Sequence, residues 1–131
     1  MNASPPTAIG AAGAKVAFNY ANSNPGTTII FNIPNTDPNY QTSGGDSWWR
    51  ISPGSALPTI TAAGTVIDGT TQTANQGDTN SRGPEVELDG SSAGASVRGI
   101  SLAGGNSAIR GLVINRFSLD GIYLVSFGGN T

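Results

Sequence analysis

Gly99-Ile100-Ser101-Leu102 recurs as Gly121-Ile122-Tyr123-Leu124 after 22 residues, and Gly104-Gly105-Asn106-Ser107 recurs as Gly128-Gly129-Asn130-Thr131 after 24. Between the copies runs Ala108-Ile109-Arg110-Gly111-Leu112-Val113-Ile114-Asn115-Arg116-Phe117, two short alternating segments bent at Gly111. Alternation sends successive side chains to opposite faces, so each segment carries one apolar face. A period of this length, with about three short strands per repeat, marks a unit that cannot bury its inner face alone and must stack on its neighbours. Stacking predicts Ile100 over Ile122, with strands parallel. It also predicts that Asn106 and Asn130 satisfy each other's amides from one coil to the next. Leucine-rich repeats share the period, but their Leu-x-x-Leu-x-Leu frame is missing here.

Working outward, Thr28-Ile29-Ile30-Phe31-Asn32-Ile33 alternates cleanly, with Ile29, Phe31 and Ile33 on one face and Pro34 ending the strand. Trp48-Trp49-Arg50-Ile51 is the next strand, with Trp49 and Ile51 inward. Leu57, Ile60 and Ile67 continue the apolar series. Residues 35–47 and 70–83 are polar and are predicted to be loop insertions. Near the front, Pro5-Pro6-Thr7 suits a helix start, and the Ala-rich stretch 14–21 is helical in propensity, with Ile9, Val16 and Tyr20 near one face. Asn22-Ser23-Asn24-Pro25-Gly26 stops it. A lone helix before a strand array predicts a lid over the open end of the sheets, with Val16 and Tyr20, or Phe18, covering Ile29, Phe31 and Ile33.

These readings give an all-β chain: a right-handed parallel β-helix (β-solenoid) with a short N-terminal capping helix. Residues 1–131 form a single β-helix domain, with 1–26 the capping segment and 27–131 the coils. The 131 residues fit one domain with a modest core.

Composition narrows the chemistry. Only 11% of residues are charged, six basic against eight acidic, and no basic cluster exists to neutralise a phosphate backbone. Nucleic-acid binding and membrane insertion are therefore not expected. Cysteine and histidine are both absent, which removes disulfides, thiolate and imidazole metal sites and His-dependent triads. Neither a metal nor a cofactor is expected. Met1-Asn2-Ala3-Ser4-Pro5-Pro6 lacks the basic and apolar regions of a signal peptide.

The runs Asn24-Pro25-Gly26-Thr27-Thr28-Ile29-Ile30-Phe31-Asn32-Ile33-Pro34, Ala56-Leu57-Pro58-Thr59-Ile60-Thr61, Ile67-Asp68-Gly69-Thr70-Thr71-Gln72, Glu87-Leu88-Asp89-Gly90 and Ile109 to Phe117 resemble bacterial right-handed parallel β-helix repeat proteins. The resemblance covers roughly residues 14–131. It implies a secreted or cell-surface location, and for the fold it implies the same β-helix. In that pattern further coils follow the Gly-Gly-Asn-Thr segment, whereas Thr131 falls in mid-coil. This predicts a homo-oligomer or head-to-tail filament through an open C-terminal coil, or a parent chain that is longer.

Candidate ligand-binding residues are few. Glu85, Glu87 and Asp89 alternate with Val86 and Leu88, so three carboxylates share one outward face roughly 7 Å apart. Ca²⁺ binding and glycoside hydrolysis both use such oxygen sets. The plainer reading is a solvated strand face whose charges are relieved by Arg82 or Arg98, and no catalytic residue is assigned. Ile67-Asp68-Gly69, Leu88-Asp89-Gly90 and Leu119-Asp120-Gly121 read as strand-ending turns, because their spacings are unequal. Trp48 and Tyr123 are expected outside, where an aromatic ring stacks on a sugar, and Arg50 is a cation–π partner for the tryptophans. The expected function is a non-catalytic surface structural, adhesin-like or self-assembly module. The competing expectation is a carbohydrate-binding or carbohydrate-active wall using the acidic strand face, with a polysaccharide as partner.

Overall fold

A computed structural model describes residues 10–125 and 128–131. The expected helix start at Pro5-Pro6-Thr7, and Ile9, lie outside the described residues. The first helix, α1 (Gly10–Ser23), is built on alanine. Its end is capped by Asn24, whose Nδ2 donates to the Tyr20 carbonyl at 2.8 Å. The buried face is Ala14, Ala17, Phe18 and Ala21, spaced to share one side of a helix. Val16 is 54% exposed and Tyr20 only half-buried, so the expected Val16–Tyr20 face is corrected to the Phe18 face. The 3.6-residue period decides this, since small alanines let the helix approach closely enough for Phe18 to reach the core. The helix packs on strands β1 (Thr28–Ile30) and β3 (Asp46–Ile51).

The remaining elements are β2 (Tyr40–Ser43), β4 (Val66–Asp68), the helix α2 (Thr70–Gln76), β5 (Val86–Asp89), β6 (Ile100–Leu102), β7 (Ala108–Arg110), β8 (Leu112–Asn115) and β9 (Ile122–Leu124). They form three sheets, ordered β1-β4-β7, β2-β3-β5-β8 and β6-β9. Every pairing among them is parallel except β2 with β3. Ile100 and Ile122 are register partners, as are Leu102 and Leu124, so the 22-residue period does translate into parallel pairing. The chain turns from β7 to β8 at Gly111, where φ is 66°, a value that suits glycine.

The architecture is mixed α/β, and the expected all-β parallel β-helix is corrected on two counts. The insertion at 35–47 contains β2, which folds back antiparallel on β3 and makes that sheet mixed. Gly44 and Gly45 form the two-residue turn, at φ 60° and 90°, both positive as a tight hairpin of this type requires. The insertion at 70–83 begins with α2 rather than loop. This helix is held by polar side chains. Gln72, fully buried, donates from Nε2 to the Ile33 carbonyl and accepts the Ile33 N–H at Oε1, both at 2.8 Å. The Thr71 hydroxyl accepts from the Phe31 N–H, and Asn75 donates to the Phe31 carbonyl. The backbone of 31–33 thus finds its partners in side chains of a helix instead of in a strand, which satisfies buried amides equally well.

The core lies between the three sheets. Ile29 and Ile67 come from one, Trp49, Ile51, Val86 and Leu88 from the second, and Ile100 and Leu102 from the third, with Phe18 of α1 against them. The inward faces expected from alternation at Ile29, Phe31, Ile33, Trp49 and Ile51 are buried. No helix among the described residues is long and apolar enough to cross a membrane.

Candidate functional site

With Trp49 and Ile51 committed to the core, period-two alternation puts Trp48 and Arg50 on the outer face of the mixed sheet. On β5 the same rule puts Glu87 and Asp89 outward between Val86 and Leu88. The parallel register sets Glu87 opposite Arg50 on one side and Val113 of β8 on the other, and Asp89 opposite Asn115. Arg116 follows directly, with φ 56°, a left-handed conformation that non-glycine residues adopt sparingly and that recurs at ligand sites.

These residues form one connected network. Glu87 Oε2 accepts from Trp48 Nε1 at 2.7 Å and from Arg50 Nε at 2.8 Å, while Oε1 accepts from Asn115 Nδ2 at 3.0 Å. Arg116 bonds Asp89 Oδ2 at 2.8 Å and lies 3.5 Å from Glu87 Oε1. Arg50 reaches Asp89 at 3.5 Å. Asp89 Oδ1 accepts the Ser91 N–H and so also caps the short 3-10 turn Gly90–Ser92. The Oδ1 of Asn115 is the buried side-chain oxygen left without a hydrogen bond among the described residues. Burial pushes the Glu87 carboxyl upward, but the hydrogen bonds from Arg50, Asn115 and Trp48 outweigh it and hold its pKa below the usual carboxylate range. Asp89 is likewise raised by burial and brought below its ordinary value by Ser91, Arg116 and Arg50.

In front of the network opens a cleft of about 250 Å³, walled by Trp48, Arg50, Glu87 and Arg116 and lined also by Asp46 and Arg82. Asp46 accepts from the Ser81 hydroxyl and N–H through Oδ1 and pairs with Arg82 Nε at 2.9 Å through Oδ2. The Ser81 hydrogen bonds, then Arg82, lower its pKa against an opposing push from burial. The Arg50 guanidinium carbon sits 5.9 Å from the centre of the Trp48 ring, the expected cation–π partner.

The sequence-derived candidates separate. Glu87 and Trp48 meet in the cleft, and Asp89 stands behind it in the network. Glu85 does not join them. It accepts a hydrogen bond from the Thr73 hydroxyl of α2 and faces a different recess. Tyr123 is on β9 of another sheet, with the Arg98 guanidinium 3.9 Å from its ring centre. The solvated acidic face is corrected, because Glu85, Glu87 and Asp89 are all buried to within 5% of full burial. Nor do Arg82 and Arg98 relieve Glu87 and Asp89; they pair with Asp46 and Asp120, and Arg50 and Arg116 do that work. Among the described residues no group of three or more carboxylates is arranged to hold a metal ion.

The turn reading of the Asp-Gly units holds for Asp68 and Asp89, whose Oδ1 atoms accept from the N–H two residues on. Each of the three aspartates also pairs with an arginine, Asp68 with Arg110, Asp89 with Arg116 and Asp120 with Arg98. Asn130 Oδ1 accepts the Ser107 N–H, a hydrogen bond from one repeat to the next, while Asn106 is exposed. Arg50 was readable only as a cation–π partner of the neighbouring tryptophans; its ion pair with Glu87 crosses the ladder, 37 residues along the chain. Arg116 and Asn115 were not readable, since they too reach Glu87 across the ladder, about 28 residues along the chain.

No protein-family profile, no curated protein and no solved structure matches this chain. The resemblance to β-helix repeat proteins rests on the sequence motifs alone.

Proposed function

We propose that the chain is a non-catalytic, adhesin-like binding module that takes a saccharide in the Trp48 cleft. The observation that carries this reading is the half-buried indole of Trp48, fixed in orientation by its hydrogen bond to Glu87 and bordering a cleft otherwise lined by polar and charged side chains. A flat ring beside hydrogen-bonding groups matches a sugar, which offers an apolar face and a rim of hydroxyls. Acid–base catalysis fits poorly. Hydrolysis of a glycoside needs a protonated carboxyl near neutral pH, whereas Glu87 and Asp89 are held ionised with their oxygens occupied by arginine, asparagine and indole donors. Titration calorimetry with length-matched oligosaccharides tests the reading. Binding is expected to weaken by at least about tenfold in Trp48→Ala and to be largely kept in Trp48→Phe, with no release of new reducing ends. Binding unaffected by Trp48→Ala, or turnover lost in Glu87→Gln, would overturn it.

A second reading, self-assembly, is favoured by a different observation. Ile122, Tyr123 and Leu124 of β9 and Val125 just after it are all exposed, and β9 pairs with β6 alone among the described residues. An apolar strand with one free edge is a template for another strand. Light scattering over a concentration series tests it, with growth in mass expected and suppressed in Leu124→Lys; a species of constant monomer mass would dismiss it.

A further inference from the structure

Among the charged groups of the cleft, the hydrogen-bonding capacity left over is of one kind. Its carboxylate oxygens are occupied: Glu87 accepts from Trp48, Arg50 and Asn115, and Asp46 from Ser81 and Arg82. Its guanidinium groups are not. Arg50 and Arg82 each engage their carboxylates through Nε, and among the described residues neither donates a hydrogen bond from its Nη groups to the protein. The side chain of Arg82 is 72% exposed, so those donors face solvent at the cleft mouth. A guanidinium presents its donors as a planar fork, matched to a two-oxygen anion. A cleft with spare donors and occupied acceptors selects a ligand rich in acceptors, and a neutral sugar, whose hydroxyls also donate, leaves that fork half used.

We infer that the ligand of the Trp48 cleft is an anionic saccharide, a sugar ring bearing a carboxylate or a sulfate, with the ring against Trp48 and the anion on the Nη groups of Arg82 and Arg50. The inference rests on the saccharide-binding reading and goes further by naming the class. Arg116 is a positioning residue here, because its guanidinium is already engaged with Asp89 and Glu87.

The test is calorimetric titration of the whole chain with a neutral hexose oligosaccharide, a hexuronate oligosaccharide and a sulfated oligosaccharide of equal length. Free glucuronate and inorganic sulfate serve as anion-only probes. At least one anionic oligosaccharide is expected to bind about tenfold or more tighter than the neutral one, the difference a charge-assisted hydrogen bond supplies. Which of the two binds tighter identifies carboxylate or sulfate as the source. Arg82→Gln should reduce the preference, weakening the anionic ligand more than the neutral one, and Arg82→Lys should restore part of it. In the unmodified protein, added salt should narrow the preference, a readout that needs no variant. Equal affinity for neutral and anionic oligosaccharides would overturn the inference and leave the saccharide reading standing. Free anions binding as tightly as the anionic oligosaccharide would overturn it too, by showing an anion site without a sugar. If no oligosaccharide binds, the saccharide reading itself fails.

Discussion

Glu87 and Arg50 are register partners across the β3–β5 ladder, and Arg50 Nε donates to Glu87 Oε2 at 2.8 Å. The pair is unequal in burial, with the glutamate side chain 7% exposed and the arginine 29%. Glu87→Gln removes the charge opposite Arg50 and leaves one acceptor oxygen where Trp48, Arg50 and Asn115 share two. Glu87→Gln is therefore expected to destabilise the fold by about 2 kcal/mol, below the full cost of a deeply buried pair because Arg50 stays partly solvated. Urea unfolding measures it, and a loss under about 0.5 kcal/mol, the size of an ordinary surface change, would contradict the network's role.

The face of α1 gives a paired prediction. Phe18 is buried against the core and Val16 is exposed. Phe18→Ala should cost about 3 kcal/mol or more. Val16→Ala should change stability by less than about 0.5 kcal/mol. The reverse order in a thermal or denaturant series would restore the Val16 face.

Gly90 tests close packing without involving the cleft. A Cβ there would lie 2.5 Å from the Phe117 ring and 2.7 Å from its Cα. Backbone cannot step aside as a flexible side chain can, so Gly90→Ala is expected to cost about 2 kcal/mol. Gly54, with nothing within 4 Å of its own Cβ position, is the control, expected within about 0.5 kcal/mol of the parent. Equal melting temperatures for the two variants would refute the contact.

The inward faces were legible because alternation alone fixes them: Ile29, Phe31, Ile33, Trp49 and Ile51 are buried where period two puts them. The Ile100–Ile122 pairing was legible from the repeat. Helix α2 was not, because its inward side chains are the buried Gln72 and the half-buried Thr71, and a polar face gives no apolar period to detect. Gly44-Gly45 was a readable hairpin signal, but Tyr40-Gln41-Thr42-Ser43 lacks the apolar alternation that draws attention to a strand. The acidic face misled for a different reason. Alternation tells which way Glu87 and Asp89 point, and says nothing of arginines arriving from neighbouring strands to bury them.

Acid should unfold this chain through those same carboxylates. Asp46, Asp68, Glu87 and Asp89 all have pKa values below their ordinary ones in the folded state. For Asp68 the hydrogen bond from Arg110 leads, against the opposing effect of burial. A carboxyl with a lowered folded pKa contributes stability that is complete above its unfolded value. That contribution is lost as pH falls through the folded value. Melting temperature should therefore hold steady from pH 7 to about 5 and fall steeply below about pH 4. A melting temperature unchanged down to about pH 2 would contradict the assignment.

The most direct test of the central claim, that a saccharide sits against Trp48, is the indole N–H region of a ¹⁵N-correlated proton spectrum during titration with hexuronate and neutral oligosaccharides. The two tryptophans report separately, since Trp48 Nε1 donates to Glu87 at the cleft, whereas Trp49 is buried and its Nε1 donates to the Pro34 carbonyl at 3.0 Å. The account predicts that the Trp48 signal shifts progressively to saturation while that of Trp49 stays in place, and that the hexuronate oligosaccharide reaches saturation at a lower concentration than the neutral one. A Trp48 signal that does not move at millimolar saccharide, or one that moves no more than that of Trp49, would contradict it.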